Sequence, residues 1–196
     1  MNIILGLGNP GPEYAGHRHN IGFWCAARLA RRLGVKLRRS GQAMAAVGQL
    51  AGVPVALATP RTFMNRSGRA ARDLLALHGR KPEDLVVMHD DVDLPLGKLK
   101  VKQGGGHGGH NGLRSIIEVT GSREFLRIRL GVGRPEDRGE DLADWVLSDF
   151  TRGERPAASE LAERGADAVE AVLTTGVKEA MNLYHVPSNE GRARNN

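Results

Sequence analysis

Five of the seven histidines fall in three loops that follow strand-like segments. His17 and His19 precede the first helical stretch, His89 and Asp90 end an apolar run, and His107 and His110 flank glycines in Q-G-G-G-H-G-G-H-N-G. Taken singly, each has an ordinary explanation as a surface or capping side chain. Taken together, they bring His, Asp and Asn to three loops. Hydrolysis without a metal needs a base near neutral pH, and imidazole is the natural one. An adjacent carboxylate fixes its tautomer and stabilises the imidazolium. Asparagine amides, such as Asn9 in G-L-G-N-P-G, hold a water or donate to a developing oxyanion without adding charge. Spacing alone leaves open which of Asp90, Asp91 and Asp93 faces a histidine, because Asp91 and Asp93 are equally placed to cap a turn.

Other chemistries fit less well. H-x-H and H-G-G-H could supply metal ligands with Asp90 or Asp93, but glycine flanks give loose ligands and neither pair is spaced i, i+4 on a helix. Ser67 and Ser115 lack the G-x-S-x-G setting of a nucleophile. The lone Cys25 lies inside a helical pattern and reads as a buried structural thiol. Gly6 to Gly11 formally fits the dinucleotide fingerprint, yet no acidic residue follows between 14 and 72 to hold a ribose. Pro10 and Pro12 instead stiffen the turn that presents Asn9.

These residues need a scaffold. Apolar runs predict strands over 2–7 and 85–89, and alternation predicts strands over 97–102 and 125–132. A hairpin is expected from 43–50 and 53–58. Helices are expected from an Asn20 cap to Leu33 with Gly34 as stop, over 66–78, over 111–120, and over 154–173 and 177–184. Interleaved strands and helices give an α/β class with a twisted, mostly parallel mixed central sheet flanked by helices. The expected layout is one domain over 1–187 and a disordered polar tail over 188–196.

Composition narrows the partner. The chain has 196 residues, 40% of them hydrophobic, and one cysteine, which excludes an internal disulfide framework. No apolar run reaches the roughly 18 residues of a membrane span, and M-N-I-I-L-G lacks the basic start of a signal peptide. A cytoplasmic monomer or a simple oligomer is expected. Residues 1–135 carry 21 Lys/Arg against 9 Asp/Glu, whereas 136–196 carry 7 against 13. Eleven basic residues and no acid lie between Glu13 and Asp73. Such a surface points to a polyanion, with RNA or DNA ahead of a membrane surface. Lys98, Lys100 and Lys102, with Arg127 and Arg129 on a later strand, would suit a phosphate backbone.

Five blocks carry a resemblance: G-L-G-N-P-G-x-E-Y (6–14), R-H-N-x-G (18–22), T-F-M-N-x-S-G (62–68), H-D-x-x-D-L-P-x-G (89–97) and G-G-G-H-G-G-H-N-G-L (104–113). In this order they closely resemble the bacterial-type peptidyl-tRNA hydrolase family. The resemblance implies a single α/β domain that hydrolyses the ester between a peptide and the 3′ ribose of tRNA, with no metal or nucleotide cofactor. It makes His19 the general base and Asp90 its orienting partner. It makes Asn9, Asn65 and Asn111 the clamps on substrate and water, with Tyr14, Phe63 and Met64 lining the cleft and His110 shaping its wall. Lys100, Lys102 and Arg129 become the tRNA phosphate contacts. Arg66, at an often apolar position, Gln103 and the polar tail depart from the pattern without touching a chemical group. The rival reading is a non-hydrolytic RNA- or protein-binding relative of the same fold, such as the plant chloroplast members that serve intron splicing. The chain's complete catalytic set favours the enzyme.

Overall fold

The structure, a computed structural model, describes residues 1–135, 139 and 141–185. The tail expected over 188–196 lies outside the described residues. Seven strands form one sheet: β1 (Asn2–Gly6), β2 (Arg38–Ser40), β3 (Ala43–Leu50), β4 (Val53–Pro60), β5 (Leu85–Asp91), β6 (Leu99–Gln103) and β7 (Leu126–Gly131). Their order is β2-β3-β4-β1-β5-β7-β6. The central strands β4, β1, β5 and β7 pair in parallel, and β2–β3, β3–β4 and β6–β7 pair antiparallel. Only β3 and β6 therefore run against the rest.

Alternation along the central strands sorts side chains into two cores. Ile4, Leu57, Met88 and Ile128 meet α1 (Ile21–Leu33), α5 (Arg155–Thr175) and α6 (Val177–His185) on one face. Ile3, Leu5, Ala58 and Val87 meet α2 (Ser67–Leu77) and α3 (Asn111–Thr120) on the other. A short α4 (Leu142–Val146) completes the set. Close backbone packing fixes α1 over β1: a Cβ on Gly22 would lie 2.5 Å from the carbonyl oxygens of both Leu7 and Met88. Cys25 is fully buried between α1 and α5, and a Cβ on Gly165 would meet its Sγ at 2.6 Å.

The expected elements all form, with ends shifted by a few residues. Three features differ from the sequence reading. β2 has no apolar alternation and forms because β3 offers an open edge. α4 is only five residues long, capped by Asp141. Asn20 makes no side-chain cap on α1; it is used elsewhere.

The β3–β4 hairpin turns on Ala51 and Gly52, with φ of 48° and 80°. Two positive φ values define the turn type that favours Asn-Gly, and Ala51 pays for its Cβ there. Ala51→Asn is expected to stabilise the fold by about 0.5–1 kcal/mol, raising Tm by roughly 1–4 °C in a chain of this size. Thermal melting of the variant checks this, and an unchanged or lower Tm refutes it.

Candidate active site

The site stands at the carboxyl ends of β1 and β5, where an open α/β sheet leaves a crevice. Asp90 lies near the end of β5 and is buried. His19 sits in a 3-10 turn, Arg18–Asn20, just ahead of α1. His110 is the N-cap of α3.

The hydrogen bonds dictate the tautomers. His19 Nδ1 lies 2.8 Å from Asp90 Oδ1, and His110 Nε2 lies 2.9 Å from the same oxygen. A carboxylate only accepts, so both nitrogens donate. The Nδ1 of His110 accepts the backbone N–H of Gly112 at 3.1 Å and of Leu113 at 3.3 Å. His110 is thus a neutral ring whose one hydrogen belongs to Asp90. In neutral His19 the free lone pair falls on Nε2, at the wall of a cleft of about 400 Å³. Burial would push the Asp90 carboxyl up; His19 and His110 outweigh it and hold it well below the usual carboxylate range. His89 donates from Nδ1 to the Asp90 carbonyl oxygen at 2.6 Å. Burial pushes its pKa down to about 3, with His110 adding to the effect, so His89 stays neutral.

The other aspartates are spent elsewhere. Asp91 accepts from Arg129 at 2.6 Å and from the Asp93 backbone N–H at 2.9 Å, and Asp93 pairs with Arg134. Asp90 alone of the three reaches His19.

Asn9 is fixed from three sides. Its N–H donates to Asn20 Oδ1 and its carbonyl accepts from Asn20 Nδ2, both at 2.9 Å. Its own Oδ1 accepts the Met64 N–H at 2.7 Å, which leaves its amide N–H pair as the free group. Met64 is buried and reaches toward His110: a Cβ on Gly112 would lie 2.6 Å from Met64 Sδ and 3.0 Å from His110 Cε1. Tyr14 and Phe63 meet edge to face at 6.0 Å, and Phe63 is 54% exposed. Asn65 and Asn111 are exposed, and only Asn111 of the two lines the cleft.

Three comparisons bear on this arrangement. The family model described as Peptidyl-tRNA hydrolase matches residues 3–193. A peptidyl-tRNA hydrolase of Syntrophotalea carbinolica is 45% identical over 186 residues, covering 94% of this chain and 97% of that protein. One of Mycobacterium sp. (strain KMS) is 46% identical over 185 residues, covering 93% and 96%. The crystal structure of peptidyl-tRNA hydrolase from Acinetobacter baumannii superposes with a TM-score of 0.88 at 34% identity, covering 95% of each chain. The chain belongs to the peptidyl-tRNA hydrolase family.

Within this peptidyl-tRNA hydrolase fold, the basic residues separate into two kinds. Lys100 and Lys102 are exposed on β6, and Lys102 and Arg129 line the cleft. Arg129 is held by Asp91. Arg127, expected to suit a phosphate backbone, also lines the cleft, but its guanidinium is already engaged within the protein. It is buried over the Phe125 ring and donates to the carbonyls of Gly105 and Gly106, pinning the glycine loop.

The competing chemistries lose their footing. Ser67 Oγ donates to the Met64 carbonyl and Ser115 Oγ accepts the Gly68 N–H, so both are buried structural hydroxyls. No helix opens in the 6–11 loop; α1 starts at Ile21. His19, Asp90 and His110 are the one metal-like cluster among the described residues. An ion there would have to displace two N–H bonds to Asp90, and the second nitrogen of His110 already caps α3.

Sequence reasoning missed what holds His19. Arg18 is buried, with its guanidinium 3.7 Å from the centre of the Trp145 ring and both ends on Glu154, at 3.1 and 2.9 Å. Its N–H donates to the Ser148 carbonyl. One side chain thus ties the His19 turn to α4, whose Leu142, Ala143 and Val146 line the cleft, and to the start of α5. Glu154 lies 136 residues away, so no local signal could have shown the pair. Removing one member of such a pair strands the other charge, at about 3 kcal/mol. Glu154→Gln is expected to lower Tm by roughly 5–12 °C. The combined Arg18→Met, Glu154→Leu variant should recover part of that loss; melting of the two variants tests it, and equal or additive losses refute it.

Proposed function

We propose that the chain hydrolyses the ester joining a peptide to the 3′ ribose of tRNA, with His19 Nε2 as the base that takes a proton from water. The observation that carries this is the tautomer lock: Asp90 fixes the hydrogen on Nδ1 and so frees Nε2 at the cleft. The water attacks the ester carbonyl directly. His19 becomes an imidazolium beside an ionised Asp90, and its proton then passes to the departing ribose oxygen. The Asn9 amide N–H donates to the oxyanion or holds the peptide carbonyl, with Asn65 and Asn111 as further clamps. Tyr14, Phe63 and Met64 form the apolar wall for peptide and terminal adenosine. His110 orients Asp90 and does not exchange its own proton, because its Nδ1 caps α3. No residue of this set needs a metal. Among the described residues no helix is long and apolar enough to cross a membrane. The reading includes a monomer working in the cytoplasm on tRNA.

The test is release of N-acetyl-amino acid from N-acetyl-aminoacyl-tRNA beside the unblocked substrate, with EDTA present. Cleavage of the blocked substrate alone is expected. Failure to cleave, with tRNA binding kept, would move the chain to the non-hydrolytic reading. Lys100, Lys102 and Arg129 serve the tRNA phosphates in this scheme. Lys100→Ala with Lys102→Ala is expected to raise KM for the tRNA ester several-fold and to make its salt dependence shallower by about 1–2 in log–log slope. An equal rise for a short ester analogue refutes phosphate contacts there.

A further inference from the structure

Of the eleven basic residues between Glu13 and Asp73, five pair with carboxylates: Arg18, Arg28, Arg31, Arg32 and Arg72. The other six have no carboxylate partner among the described residues. Three of these, Arg61, Arg66 and Arg69, are exposed and follow the carboxyl end of β4, the strand beside β1. They share the rim of the sheet that holds His19 and Asp90. Arg66 and Arg69 stand at the positive end of α2, whose first turn carries no acid, a placement that works against helix stability. Phe63, in the same segment of the chain, is exposed.

The strand order β4-β1-β5-β7-β6 puts the segment that follows β4 and the lysines of β6 on opposite sides of β1 and β5. Four strand spacings separate β4 from β6, roughly 19 Å at ~4.8 Å per strand. The catalytic cluster stands between the two basic flanks, at the ends of the central strands.

We propose that Arg61, Arg66 and Arg69 form a second phosphate-binding surface, which holds substrate RNA on the β4 side of the cleft while Lys100 and Lys102 hold it on the β6 side. This rests on the peptidyl-tRNA reading above. Guanidinium forks match phosphate oxygens and carry no sequence information, as a substrate class with many tRNA sequences requires. An exposed aromatic ring in an arginine-bearing segment suits an unpaired RNA segment.

The test compares wild type with the combined Arg61→Gln, Arg66→Gln, Arg69→Gln variant. Arg72→Gln, a paired arginine on the same helix, is the control. The substrates are N-acetyl-aminoacyl-tRNA and 3′-O-(N-acetyl-aminoacyl)-adenosine. The triple variant is expected to lose about tenfold in kcat/KM on the tRNA ester relative to the adenosine ester. Its log–log salt slope on the tRNA ester should become shallower by about 2, at ~0.7 per single-strand phosphate. An unchanged ratio and slope overturn the proposal, as does an equal loss on both substrates. If the triple variant melts below wild type, each single variant carries the same comparison with a slope change of about 0.7. A wild type that cleaves neither ester overturns the underlying reading instead, so the two failures are distinct.

Discussion

His19→Ala is expected to lower kcat on N-acetyl-aminoacyl-tRNA by roughly 10²–10⁴, with tRNA affinity nearly unchanged. Among the described residues the ring contributes the one imidazole lone pair that the hydrogen bonds leave free at the cleft: His107 and His110 accept backbone N–H groups at Nδ1, and the free nitrogen of His89 is buried. The proposed phosphate contacts lie on β6 and β7 and not in the His19 turn, so binding should survive. Measuring kcat together with the Kd for deacylated tRNA separates the two effects. A loss below tenfold would remove His19 as the base.

The second large effect belongs to Asp90→Asn, expected to cost about 10²–10⁴ in kcat. The amide is neutral, so the imidazolium formed at His19 loses its counter-charge. The amide also carries an N–H pair. If that pair faces His19, the ring takes its other tautomer and the lone pair moves to Nδ1, away from water. Unlike His19→Ala, this variant keeps the base in place, and the expected signature is a changed pH–rate profile with KM little altered. A kcat within tenfold of wild type and an unmoved profile would refute the orienting role of Asp90.

The chemistry-bearing residues were legible in the sequence because they sit in short glycine- and histidine-rich blocks at strand ends. The central strands were legible because buried runs such as Leu85–Met88 have little other reading. What the sequence withheld depends on partners distant in the chain. Asn20 looked like a helix cap, since an Asn before a helix usually is one, but its amide pins the backbone of Asn9. Arg127 looked like a phosphate ligand because it alternates with Arg129. Only the fold shows the carbonyls of Gly105 and Gly106 beneath it. The choice among Asp90, Asp91 and Asp93 turned on strand register: neighbours along β5 project to opposite faces, and Arg129 claims Asp91. β2 and α4 are too short to show a period.

The seat of Cys25 has a consequence for labelling chemistry. Burial pushes its thiol well above the usual range, so almost no thiolate exists while α1 and α5 stay packed. Alkylating reagents and peroxide should therefore pass over the native protein and react only when those helices part. As the chain's single thiol, Cys25 makes the rate of modification a direct clock for the opening of the larger core.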